Sequence, residues 1–132
     1  MIALDTNVLV RYVVEDDARQ AARAASLIEG AIAAGESLFV SDVVLCEFVW
    51  VLGASYGVPR ATIGATLREL LRAKHLAFSA TDRLARAVAA FGAGRGDFAD
   101  YVIREQALAA GCDRVATFDR ALLREAGFTA PA

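Results

Sequence analysis

Histidine is almost missing from this chain of 132 residues: His75 is the only one. Its solitude argues against Ser–His or Cys–His nucleophilic machinery, and it falls late in a helical stretch, where a cation suits the helix dipole. The two cysteines, Cys46 and Cys112, are far apart and make no C-x-x-C pair, so neither a disulfide framework nor a zinc site is indicated. Both are expected to be buried small hydrophobes. Lysine is represented by Lys74 alone beside thirteen arginines. Arginine suits bidentate phosphate contacts, although GC-rich coding gives the same bias. No excess of positive charge exists, since the net charge is −2 and the pI about 5.4. Such a chain does not grip nucleic acid by bulk charge. No apolar run approaches the ~20 residues that span a bilayer; the longest, 43–54, is interrupted by Glu47. The N-terminus lacks the basic segment of a secretory signal, because an acid arrives at residue 5. A cytoplasmic protein without a membrane partner is expected. With no repeat, low-complexity tract or Pro/Gly/Ser linker, 1–132 reads as one domain.

What the chain has is apolar material: 57% hydrophobic residues and a mean hydropathy of +0.43. That implies a large core and an apolar surface in need of a partner. Short β-rich runs alternate with helical patterns, the signature of an α/β fold with a parallel sheet. Strands are expected at 2–4, 37–40, 76–78 and 114–117, with an edge strand at 128–129. Helices are expected at 7–14, at 18–34 behind Asp16-Asp17, at 43–56 behind Ser41-Asp42, and from Pro59 to 74. Further helices follow Thr81-Asp82 to about 91, run over 98–110 with Gly111 as cap, and close the chain at 120–126. The pattern predicts a three-layer α/β/α sandwich around a central, mostly parallel sheet of four to five strands. Ligands of such sheets bind beyond the carboxyl ends of the strands.

The acids fall at suggestive places. Asp5, in I-A-L-D-T-N, ends the first strand, and Asp119, in V-A-T-F-D, follows the fourth, with Val115, Thr117 and Asp119 on one side if the strand geometry persists. Each also precedes a helix, so a helix cap is the competing reading. Glu47 interrupts V-V-L-C-E-F-V-W-V-L, a helix apolar on every other face and therefore expected to be buried. A buried carboxylate must be paired or hold a cation. In G-D-F-A-D-Y, Asp97 reads as a cap and Asp100 lies one turn inside the helix, where Arg104 at i+4 offers a local ion pair as the alternative. Close carboxylates repel by about 4 kcal/mol per pair at an effective dielectric of 20, so a cluster survives by protonation or by binding cations. All-oxygen ligation selects Mg²⁺ or Mn²⁺ over zinc.

Four stretches, L-D-T-N-V-L-V-R, C-E-F-V-W-V-L, D-F-A-D-Y-V-I and V-A-T-F-D-R, resemble in order and spacing those of the PIN domain, and in particular the small VapC-type toxins of bacterial toxin–antitoxin pairs. The resemblance implies a PIN-like fold and an Mg²⁺- or Mn²⁺-dependent endoribonuclease. It implies that Asp5, Glu47, Asp100 and Asp119 are catalytic metal-binding acids, with Asp97 as an accessory ligand. Thr6, Asn7 and Thr117 fall where the family keeps small polar residues. It further implies an RNA substrate, a homodimer, and a VapB-type antitoxin through which alone DNA is contacted. Arg104-Glu105 depart from the small residues common in the family after the third acid. With so acidic a chain, RNA-phosphate contact falls to local arginines, for which Arg11, Arg95, Arg104 and Arg120 are candidates. Two rival readings are a non-catalytic PIN-like binding module and an aspartate-dependent phosphatase. The latter looks for a second Asp where Asn7 stands.

Overall fold

Asp5, Asp17 and Ser41 decide where the chain stops being extended and begins to coil. The computed structural model describes residues Met1–Ala132, which fall into two compact units, Met1–Ser79 and Ala80–Ala132. In the first unit, strand β1 (Ile2–Ala3) runs into Asp5, whose Oδ1 accepts the Thr6 N–H at 2.8 Å at the start of α1 (Thr6–Val14). Asp17 caps α2 (Ala18–Ala34) through the Gln20 N–H at 3.0 Å. After β2 (Leu38–Phe39), Ser41 Oγ accepts the Val44 N–H at 3.2 Å and starts α3 (Asp42–Ala54). Helix α4 (Arg60–Arg72) and strand β3 (Leu76–Ala77) follow. The side-chain oxygens satisfy amide donors that a helix start otherwise leaves unpaired.

The three strands pair in parallel in the order β1-β2-β3, with Ile2 opposite Leu38 and Leu38 opposite Leu76. Bonds from Leu4 N–H to Phe39 O (2.8 Å) and from Val40 N–H to Ala77 O (2.9 Å) carry the ladder one residue further. Beneath it, Leu9, Ile28, Leu38, Val40, Leu45, Phe48 and Leu67 are fully buried. Each such side chain contributes about 1.5–3 kcal/mol by leaving water.

The second unit comprises α5 (Thr81–Ala93), α6 (Phe98–Ala109), β4 (Val115–Ala116), a single 3₁₀ turn (Leu122–Arg124) and β5 (Phe128–Thr129). Helices α5 and α6 pack together, with Phe91 set edge-on to Phe98 at 6.1 Å between ring centres. Strands β4 and β5 pair in parallel, through Val115 N–H to Gly127 O at 2.8 Å and Thr117 N–H to Thr129 O at 2.9 Å.

The α/β class and the parallel pairing stand, and the expected central sheet of four to five strands does not. The strands form a set of three and a separate pair, each strand two residues long. The cause is local: Asp5 and Ser41 turn the chain into a helix within two residues of the strand ends, which leaves little extended backbone to pair. Three smaller expectations are corrected as well. Helix α5 begins at Thr81 behind Ala80, with no side-chain cap. The last helix shrinks to one turn, because Glu125 is extended and Gly127 takes a φ of 88°. Cys112 is exposed, just beyond α6. Cys46 is half-buried, and burial, with the Asp42 charge adding to it, pushes its thiol up to about 11. No helix is long and apolar enough to cross a membrane.

Candidate active site

In the first unit, three of the expected residues stand together. Asp5 is exposed at the end of β1 and the start of α1, while Thr6 beside it is buried. Thr6 Oγ1 donates to Glu47 Oε2 at 3.1 Å, so α1 and α3 are joined next to the first acid. Glu47 itself is exposed, which corrects the inference that an all-apolar helix hides it. It shares one face of α3 with Val43, 65% exposed, and Trp50, 68% exposed. The i, i+4, i+7 spacing puts all three on one side. Asn7 is exposed. Arg11 is committed elsewhere, with Asp16 Oδ1 at 2.8 Å, the Tyr56 hydroxyl at 2.7 Å and Gln20 Oε1 at 2.6 Å. Tyr56 also donates to Asp16, and that bond first, with the Arg11 charge and bond behind it, holds the Asp16 carboxyl below its usual range against the opposing effect of burial.

In the second unit, Asp97 is the N-cap residue of α6, as expected, and Asp100 Oδ2 accepts the Asp97 N–H at 2.9 Å in a capping box. Partial burial raises the Asp100 pKa, and the charges of Asp97, Asp119 and Glu125 raise it further, against the lowering effect of that N–H bond. Arg104 does not supply the ion pair considered for Asp100. Its guanidinium lies over the rings of Tyr101 (5.2 Å) and Phe128 (5.6 Å), donates to Ala126 O at 3.0 Å and pairs with Glu105 at 3.5 Å. Its stem lies so close to Gly127 that a Cβ there would come within 2.6 Å of Arg104 Cδ. Glu105 is buried and also holds Arg86 at 2.7 Å.

Asp119 follows β4. Its N–H donates to Thr117 Oγ1 at 3.1 Å, and its Oδ1 accepts the Ala121 N–H at 2.9 Å. Thr117 thus turns the chain at the acid, and the acid starts the next turn. Sequence reading missed the pair that braces this unit. The buried Tyr101 hydroxyl donates to Glu125, with its oxygens at 2.7 and 2.9 Å, and accepts the Gly96 N–H at 2.9 Å. Gly94 passes so close that a Cβ would collide with the Tyr101 hydroxyl and Glu125. The G-x-G of residues 94–96 was the available signal; Glu125 had none.

A PIN-domain family model matches residues 2–128. The chain belongs to the PIN-domain family. A comparison with curated proteins finds no match. PIN domains have a nuclease-like fold and usually work with divalent metals, so the acids of this PIN domain can be asked whether they fit one. Within neither unit do three acidic, histidine or cysteine side chains gather closely enough to form a ready-made cage. The donor set nevertheless fits. Asp5, Glu47, Asp100 and Asp119 each have one oxygen fixed by an amide or hydroxyl and a second that accepts no protein hydrogen bond. That is how outer hydrogen bonds orient carboxylate ligands, and hard oxygen donors suit Mg²⁺ or Mn²⁺. A cation would also relieve the repulsion that raises the Asp100 pKa.

Proposed function

We propose that this PIN domain is a metal-dependent endoribonuclease that acts as the toxin of a VapBC-type pair, working as one domain over 1–132. The carrying observation is that all four motif acids fall inside the matched segment, and each keeps one carboxylate oxygen fixed and the other open. Asp5, Glu47, Asp100 and Asp119 would hold Mg²⁺ or Mn²⁺, with Asp97 as an accessory. Such an ion, when bound, would supply positive charge to the reaction and acidify water. One carboxylate assists removal of the water's proton, and in-line attack leaves a 5′-phosphate and a 3′-hydroxyl. Thr6 and Thr117 orient Glu47 and the turn at Asp119, and Asn7 stands exposed beside Asp5.

Arg95 and Arg120 are the phosphate contacts this reading favours, because Arg11 and Arg104 are spent on internal bonds. The exposed apolar pair Val43 and Trp50 supports a surface covered by a second copy or by the antitoxin. Incubating labelled RNA with the protein in Mn²⁺, in Mg²⁺ and in EDTA tests the reading. Cleavage with either ion and none in EDTA is expected; cleavage indifferent to EDTA, or hydrolysis of a phosphomonoester in its place, would contradict it.

A further inference from the structure

Glu125 is an acid that no motif accounts for, and in the second unit it stands beside two that the motifs do. Burial first, and after it the charges of Asp97, Asp119 and Glu125, raise the Asp100 pKa, so these carboxylates are electrostatic neighbours. Asp100 and Asp119 each keep one oxygen open. Glu125 does not. The buried Tyr101 hydroxyl lies 2.7 and 2.9 Å from its two oxygens, and the second of these also accepts the Arg95 N–H at 3.4 Å. A carboxylate held on both oxygens is poorly placed to take a cation and well placed to orient the groups around it.

What it orients is the junction between the segments that carry those acids. On one side, the Tyr101 hydroxyl accepts the Gly96 N–H at 2.9 Å, one residue before Asp97 and the start of α6. Tyr101 itself directly follows Asp100. On the other side, Asp119 Oδ1 accepts the Ala121 and Leu122 N–H groups at 2.9 and 3.4 Å and so starts the 3₁₀ turn. Glu125 closes that turn, its N–H donating to Leu122 O at 2.9 Å. One hydroxyl therefore joins the loop before Asp100 to the turn after Asp119. The two segments also touch with no space to spare. A Cβ on Gly96 would come within 2.6 Å of the buried Leu122 side chain, and one on Gly94 would collide with the Tyr101 hydroxyl and Glu125.

We infer that Tyr101 and Glu125 are positioning residues, which clamp the turn carrying Asp119 to the loop and helix start carrying Asp100 and so fix the open oxygens of the two acids relative to each other. The inference rests on the metal-dependent reading for what those oxygens do, and adds to it two residues whose own polar groups are spent on the clamp. Carboxylates that drift apart must be gathered again when a cation arrives, and that ordering is subtracted from the affinity.

The test pairs amide hydrogen exchange of the metal-free protein with calorimetric titration of Mn²⁺. Tyr101→Phe keeps the buried ring and removes only the hydroxyl. Its Gly96 and Asp97 amides should exchange faster, and so should the Ala121 and Leu122 amides across the clamp, while the interior of α5 keeps its wild-type rates. A bond that merely stabilised the unit would speed all of these amides by one common factor. Mn²⁺ binding should weaken about tenfold in Tyr101→Phe and in Glu125→Ala. The double variant should bind no more weakly than either, because each change opens the same clamp. Glu125→Gln should bind Mn²⁺ close to wild type, since its amide oxygen still accepts the Tyr101 hydroxyl; the two Glu125 variants carry the test without disturbing the core ring. Glu125→Gln as weak as Glu125→Ala overturns the inference, because the Glu125 charge would then be what the ion needs. Wild-type Mn²⁺ affinity in Tyr101→Phe overturns it too, as does a common exchange factor. If the wild-type protein takes up no Mn²⁺, the metal-dependent reading falls, and exchange at Ala121 and Leu122 still decides whether the clamp exists.

Discussion

Asp5→Asn is expected to lower RNA cleavage at least about a hundredfold while leaving the melting temperature nearly unchanged. The two effects separate because Asp5 has two jobs. Its Oδ1 caps α1 by accepting the Thr6 N–H at 2.8 Å, a task the asparagine carbonyl performs equally well. Its charge, with the second oxygen, is what a divalent cation needs, and the amide removes that charge with almost no change of volume. Asp5→Ala deletes both functions and should in addition cost about 1 kcal/mol of stability. Cleavage of a labelled RNA and thermal melts of the two variants measure the difference. An Asp5→Asn protein that cuts at the wild-type rate would reduce Asp5 to a helix cap.

Arg104→Ala is expected to be the most damaging arginine substitution for stability, at about 2–3 kcal/mol. Two cation–π contacts, to Tyr101 and Phe128, contribute about 0.5–1 kcal/mol each, and the bond to Ala126 O about 1 kcal/mol. Buried Glu105 loses one of its two cations and keeps Arg86. Lysine should recover less than half of the loss, because an ammonium lacks the flat guanidinium that lies over both rings. Chemical denaturation of wild type, Arg104→Ala and Arg104→Lys gives the values directly. Unchanged stability with RNA binding weakened would instead return Arg104 to the substrate surface.

The order of elements was legible because helix starts are written locally: Asp5, Asp17 and Ser41 each sit one or a few residues before the amide they satisfy. Pairing between strands two residues long carries almost no sequence pattern, so the division into three strands and two was not readable. Glu47 shows a different limit. Its flanking residues argued for burial, but Val43 and Trp50 are in water on the same face; hydropathy records what a helix prefers, and an exposed apolar face can await a partner. The family match covers the stretches that held the acids. The Tyr101–Glu125 brace escaped notice because its partners lie 24 residues apart, and neither residue type announces the other.

The proposed chemistry requires that the motif acids bind a divalent cation. Calorimetric titration of Mn²⁺ into wild type, Asp5→Asn and Asp119→Asn tests it directly. Each substitution alone should weaken Mn²⁺ binding by about tenfold or more, because each removes the charge of a proposed ligand. Binding that survives both substitutions unchanged would contradict the proposed ligands and with them the proposed chemistry.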